Sequence, residues 1–179
     1  MIFPCQSWQG LRFEIHVLAS LIQKEINFNK QESPDFSIKF KQHNLYVEAT
    51  SARLEKSKGL SHYKKIEYAI SEKNSKPYAN KNTALFIDIT NIIFNESKIE
   101  EKGDFEQLVS SIHENDSNNY GSVILFTFRM NYDLGHYESV WRRVDINGCS
   151  DDLVEFLDSI YPSKEFLSVP NHFEFVHSA

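Results

Sequence analysis

The sequence predicts an α/β fold in which helices flank a mixed β-sheet. Three observations lead to this prediction: a helical pattern near the N-terminus, a hairpin pattern after it, and two later segments that are nearly continuous in apolar and β-branched residues. Such continuous runs are typical of strands buried on both faces of a sheet. Because helices and strands alternate along the chain, a layered fold is favoured over an all-helical or all-strand one.

The first half of the chain predicts a helix and a hairpin. A helix is expected from Trp8 to Glu25, because apolar residues recur there every three or four positions, at Leu11, Ile15, Leu18, Leu21 and Ile22. A polar, turn-rich stretch over 27–33 follows. Apolar and polar residues then alternate from Phe36 to Phe40 and again from Leu45 to Thr50, which indicates two strands joined by a short turn.

The second half predicts helices and strands in alternation. A helix from Ser57 to Ser75 ends before Pro77, which cannot continue it. The remaining predictions are strands over Thr83–Thr90, Ser122–Phe128, Trp141–Ile146 and His172–Val176, and helices over Asp104–His113 and Asp151–Ser159.

Composition narrows the class of protein. A chain of 179 residues with 25% charged residues is expected to form one domain spanning 1–179. The apolar runs are far shorter than the roughly 20 residues that span a bilayer, so no membrane contact is expected. Two cysteines cannot form a disulfide framework, and no secretory signal is readable, so a cytoplasmic location is expected. The six glycines form no phosphate-cradling pattern, which argues against a nucleotide-binding loop.

Positive charge is concentrated in one segment of an acidic chain. The net charge is −6, yet residues 53–81 carry +5, which leaves −11 elsewhere. A local positive patch can steer a polyanion to one face of an acidic protein. The patch predicts a nucleic-acid contact through Lys56, Lys58, Lys64 and Lys65; a solvated helix face is the alternative.

Two acids, Glu14 and Glu48, stand at positions where burying an apolar residue would cost less free energy, and a third, Asp35, precedes a strand. Glu14 falls within the apolar stripe of the first helix, unless it lies at the edge of the stripe or pairs with a basic residue. Asp35 precedes the first strand of the hairpin, and Glu48 projects in the middle of the second. Carboxylates that converge at a strand end offer the oxygen ligands that Mg²⁺ or Mn²⁺ prefers.

These residues resemble the core of the PD-(D/E)XK nucleases, which have a restriction-endonuclease-like fold of αβββαβ type. The likeness rests on Glu14 in a first helix, on Pro34-Asp35, and on Glu48-Ala49-Thr50 after twelve intervening residues. It implies a nuclease-like core over about 8–130 with a C-terminal embellishment over 131–179. It also implies an intracellular, bacterial enzyme that binds Mg²⁺ or Mn²⁺ through Asp35, Glu48 and Glu14.

The sequence departs from this family at the motif lysine, because Thr50 stands in its place. Lys73 is the candidate replacement, since it shares a helical stripe with Ile66 and Ile70 that is expected to face the sheet. A lysine that only complements the helix dipole is the alternative.

The predicted function is metal-dependent hydrolysis of phosphodiester bonds, with DNA favoured over RNA. Its predicted catalytic residues are Glu14, Asp35, Glu48 and Lys73. The alternative is an inactive nuclease-like binding module or a subunit of a larger assembly, which Thr50 and the acidic overall charge favour. A homodimer or a partner subunit is left open. A third alternative is a domain that contacts only protein, with incidental acids.

Overall fold

The computed structural model of the protein describes residues 8–52, 62–93, 102–131 and 135–163. The helices are α1 (Trp8–Gln23), α2 (His62–Asn74), α3 (Thr90–Ile93), α4 (Lys102–Glu114) and α5 (Asp151–Ile160). The strands are β1 (Phe28–Lys30), β2 (Phe36–Phe40), β3 (His43–Ser51), β4 (Thr83–Asp88), β5 (Ser122–Asn131) and β6 (His136–Asp145).

The strands form one six-stranded mixed sheet in the order β1-β2-β3-β4-β5-β6. The pairs β1–β2 and β2–β3 are antiparallel, the pairs β3–β4 and β4–β5 are parallel, and β6 pairs antiparallel with β5. Parallel neighbours need a crossover, and α2 lies in the connection between β3 and β4 as α4 lies in that between β4 and β5. The predicted α/β class with a mixed sheet flanked by helices is confirmed.

Each face of the sheet buries a separate apolar cluster. One cluster contains Phe13 of α1 and Phe156 of α5 against inward residues such as Val47. The other contains Ile66 of α2 and Ile112 of α4. Successive strand residues point to opposite faces, so the near-continuous apolar sequence of β4 supplies both clusters. The fold therefore has three layers, with the sheet in the middle.

The helix α1 is confirmed, but the prediction of its buried face is wrong. Phe13, Val17 and Leu21 are buried against the sheet, whereas Ile15 is 53% exposed and Ile22 is 61% exposed. The helix has apolar residues on two adjoining arcs. The sheet takes the arc that carries the large aromatic ring, which periodicity alone does not distinguish.

Most other predicted elements are confirmed, with boundary differences of a few residues. The strand β1 falls in the stretch 27–33 that was predicted to be a turn, so that part of the prediction is wrong. Residues 57–61 of the second predicted helix and the predicted strand His172–Val176 lie outside the described residues.

Within the described ranges, no helix combines the length and the apolar character that crossing a bilayer requires.

Candidate active site

Asp35 is fixed at the entrance to β2, as predicted. The residue is 7% exposed and directly precedes the pair of Phe36 with Val47, so it lies beside Glu48 on the neighbouring strand. Its Oδ2 accepts a hydrogen bond of 2.7 Å from the backbone N–H of Ala49. Its Oδ1 lies 3.1 Å from Lys30 Nζ. One oxygen is therefore held by the sheet and the other by a cation.

Glu48 lies in the middle of β3 on the face opposite Val47 and Ala49, as the strand alternation predicts. It is 4% exposed, because α2 covers this face of the sheet. Its Oε1 accepts a hydrogen bond from Lys73 Nζ. Its Oε2 is buried and accepts no hydrogen bond of good geometry from the described residues.

The surroundings of Glu48 disfavour its charged form. Burial raises the pKa of this carboxyl group, although the hydrogen bond from Lys73 acts in the opposite direction. The negative charge of Asp35 raises the pKa further, whereas the charge of Lys73 and the Tyr78 hydroxyl lower it. Because the net pKa shift is upward, the ionised carboxylate is left with an incompletely compensated charge that a further cation would stabilise.

Lys73 reaches Glu48 from the last turn of α2. The hydroxyl of the fully buried Tyr120 donates a hydrogen bond of 2.9 Å to the carbonyl oxygen of Lys73 and so fixes this end of the helix. Tyr78 also lies close to the acids. Burial raises the pKa of its hydroxyl to about 12, so it stays protonated and can act as a donor. The predicted approach of Lys73 to the strand acid is present in the structure.

Glu14 joins the site through a lysine that the sequence analysis missed. Lys30 Nζ lies 3.3 Å from Glu14 Oε2 and 3.1 Å from Asp35 Oδ1, so it bridges the two acids. Burial acts to lower the pKa of Lys30, but the charges and hydrogen bonds of the two carboxylates outweigh it and raise that pKa. Lys30 lies in β1, which is too short to give a recognisable strand pattern.

Thr50 faces the same side of β3 as Glu48 and borders a small cavity of about 140 Å³. The cavity lies between β3 and α2, and its walls include Lys65, Tyr68, Glu72 and Lys73. The side chains of Lys65, Lys73 and Glu72 therefore surround a space on the same side of β3 as Glu48.

The predicted nucleic-acid contacts are only partly within the described residues. Lys64 is exposed on α2 and Lys65 is half-buried beside the small cavity. Lys56 and Lys58 lie outside the described residues, so their predicted contacts stay predictions.

The donor types of the site suit Mg²⁺ or Mn²⁺, but the side chains are not arranged around a single point. Carboxylate oxygens are the ligands these ions prefer, and the buried Oε2 of Glu48 is an atom that a cation would satisfy. The described residues contain no group of three or more histidine, cysteine, aspartate or glutamate side chains placed to hold one ion. Lysines hold the acids instead, with Lys30 on Glu14 and Asp35 and Lys73 on Glu48.

Comparisons with known proteins give no relative from which to transfer a function. No family model matches the chain, and no curated protein or solved structure matches it either. The function therefore has to be argued from the site itself.

Proposed function

We propose that this protein is a divalent-metal-dependent nuclease with the restriction-endonuclease-like fold, which hydrolyses phosphodiester bonds in DNA in preference to RNA. The observation that carries the proposal is the contact between Lys73 Nζ and Glu48 Oε1. It supplies a cation at the motif acid even though Thr50 replaces the motif lysine. The order of elements also supports it, since a helix, three antiparallel strands, a crossover helix and a parallel strand follow one another as they would in an αβββαβ core.

In this proposal Asp35 and Glu48 would hold Mg²⁺ or Mn²⁺, Glu14 would be a further ligand or would orient water, and Lys73 would orient the attacking water. Asp35 and Glu48 lie next to each other on paired strands, and Glu14 approaches from α1. A bound ion would polarise the phosphate and lower the pKa of water. Asp35 is already oriented by the Ala49 N–H, so it is a fixed ligand with one oxygen to offer.

The small cavity beside Thr50 is where a substrate phosphate would fit. Lys65 and Lys73 supply positive charge there and the Thr50 hydroxyl supplies a donor. Lys64, with Lys56 and Lys58, would contact phosphates further along the strand. Such contacts add salt-dependent affinity that is largely independent of sequence.

Cleavage of supercoiled plasmid in Mn²⁺ tests the proposal. Glu48→Gln keeps the shape of the side chain and removes its charge, and Lys73→Met keeps the stem and removes the ammonium. We expect each variant to lower the cleavage rate by about a hundredfold or more. The matched controls are Glu32→Gln and Lys76→Met at exposed positions, which should stay within about twofold of the parent. Cleavage by Glu48→Gln at the parent rate would refute the assignment.

An inactive binding module is the second candidate, and two observations favour it. Thr50 cannot supply the motif cation, and the acids are already paired with lysines of the chain itself. The same assay separates the two functions. A module that has lost hydrolysis would retain DNA on a filter without a divalent ion and would cut no plasmid at any Mn²⁺ concentration.

A further inference from the structure

The ammonium group of Lys30 lies between Glu14 and Asp35, two of the proposed metal ligands. Its ammonium nitrogen lies about equally far from the Glu14 and Asp35 carboxylates, at 3.3 and 3.1 Å. The same nitrogen donates a hydrogen bond of 3.1 Å to the carbonyl oxygen of Gln31 and lies 5.0 Å from the centre of the Phe36 ring. Several contacts thus place the ammonium between the two acids.

We propose that Lys30 is an intramolecular competitor of the divalent ion, an inference that rests on the proposed function. Mg²⁺ and Mn²⁺ bind carboxylate oxygens at about 2.1 Å, so an ion held by Glu14 and Asp35 would take the space that the ammonium fills. A divalent ion and the Lys30 ammonium group would also repel each other when both lie beside the same carboxylates. Binding of the ion by both acids therefore requires Lys30 to move away.

The position of Lys30 allows that movement. Its side chain is 42% exposed, and β1 is the edge strand of the sheet, so the long stem can swing outward without disturbing the core. Lys73 differs in this respect, because its side chain is 25% exposed and its partner carboxylate is 5% exposed. The two lysines therefore have different roles: Lys30 yields to the ion, and Lys73 stays with Glu48.

The described residues hold no ready-made site for an ion, and Lys30 fills the space between two of the acids. Asp35 and Glu48 lie on adjacent strands, and Oδ1 of Asp35 contacts the same ammonium group that contacts Glu14. Once the Lys30 ammonium group moves away, Glu14 and Oδ1 of Asp35 lose their cation, while Glu48 keeps its contact with Lys73. The chain then favours an ion, because the Asp35 side chain is only 10% exposed and a carboxylate so buried is costly without a cation.

Direct measurement of Mn²⁺ binding tests the proposal without relying on activity. Lys30→Met keeps an unbranched apolar side chain and removes the charge, and Lys39→Met makes the same change at an exposed lysine of β2. We expect calorimetry to give Mn²⁺ binding about tenfold tighter for Lys30→Met than for the parent, and within about twofold of the parent for Lys39→Met. Lys30→Arg keeps a cation between the acids and should not tighten binding.

Thermal unfolding gives a second readout. Without added ion, Lys30→Met should melt below the parent, because it leaves Glu14 and Asp35 without their cation, and Mn²⁺ should raise its melting temperature more than that of the parent. Lys30→Gln is a second neutral variant in case the methionine form folds poorly.

The possible outcomes separate this proposal from the nuclease assignment. If the parent binds Mn²⁺ and Lys30→Met binds it no more tightly than Lys39→Met does, the competition is refuted and the nuclease assignment stands. If Lys30→Met binds Mn²⁺ and the parent does not, competition is supported. If no variant binds Mn²⁺, both proposals fail.

Discussion

Glu48 keeps a carboxylate in a layer of the molecule that is otherwise apolar. Its strand neighbours across the sheet belong to the core, and its register partner on β4 is the fully buried Leu85. Burying an ionised carboxylate costs several kcal/mol unless a partner compensates it. Lys73 compensates one oxygen and the other is buried, so this residue lowers the stability of the fold.

The raised pKa of Glu48 predicts the pH dependence of stability. The folded protein binds this proton more tightly than the unfolded chain, whose carboxyl group has its ordinary pKa of 4.5. The contribution of Glu48 is therefore fully present below about pH 4.5 and is lost as the pH rises through the folded-state pKa. Glu48→Gln cannot ionise, so we expect its free energy of unfolding to improve relative to the parent as the pH rises.

Urea unfolding at a series of pH values, with a chelator in the buffer, measures this difference. The titrations of groups that do not interact with Glu48 cancel when the variant and the parent are compared at each pH. Glu32→Gln, at an exposed position, should run parallel to the parent throughout. A constant gap between Glu48→Gln and the parent would mean that burial does not shift this group.

Residues of the site were predictable from the sequence where a local period fixed their direction. The alternation of β3 placed Glu48 on the opposite face from Val47, and the structure agrees. The role of Lys30 was not predictable, because it depends on β1 pairing with β2 and on α1 lying above both. Such contacts between distant segments leave no periodic signal in a single sequence.

At the scale of elements, α2 carries one end of the site, and its last turn is anchored from outside the helix. The hydroxyl of Tyr120, in the loop before β5, donates to the carbonyl of Lys73. Carbonyl groups in the last turn of a helix have no partner within it, so this bond satisfies one of them. The anchor holds the backbone from which the Lys73 ammonium reaches Glu48.

Removing that anchor should loosen the end of α2. We expect Tyr120→Phe to lower the free energy of unfolding by about 1 kcal/mol, since a typical internal hydrogen bond contributes that much. Amide hydrogen exchange at the end of α2 should also become faster than in the parent. Tyr68→Phe is the matched control, because Tyr68 is 47% exposed, and we expect it to change stability by less than about 0.5 kcal/mol. Equal effects of the two variants would contradict the anchoring role.

Elements with long patterns were predictable, but the face of α1 that packs on the sheet was not. The alternating strands β2 and β3 and the continuous strand β4 agree with the prediction because their periods leave few alternatives. In α1 two apolar arcs adjoin, and the choice between Phe13 and Ile15 depends on the shape of the surface below. The sheet presents aromatic rings there: Phe13 lies 5.4 Å from Phe126 between ring centroids.

At the scale of the whole molecule, the last described segment, 135–163, packs into the apolar cluster that α1 covers. In β6, ten residues pair with β5, and α5 packs Leu153, Phe156 and Leu157 into the cluster that also contains α1. The buried Arg143 of β6 joins these elements, since its guanidinium hydrogen-bonds Asp158 of α5 at 2.8 Å. The described residues on this face of the sheet thus form one continuous apolar layer, from the helix of Glu14 to the last helix.

Cooperative unfolding tests whether that layer is one unit. Phe156 is fully buried in α5 and its ring lies 5.8 Å from that of Phe40 in β2, so Phe156→Ala leaves a cavity between α5 and the sheet. We expect a loss of about 3–5 kcal/mol in the free energy of unfolding, with fluorescence and circular dichroism still reporting one coincident transition. Ile22→Ala removes an apolar side chain that is 61% exposed and should cost less than about 0.5 kcal/mol. If the helix were a separate attachment, Phe156→Ala would instead give an early transition with part of the signal and leave the main one unchanged.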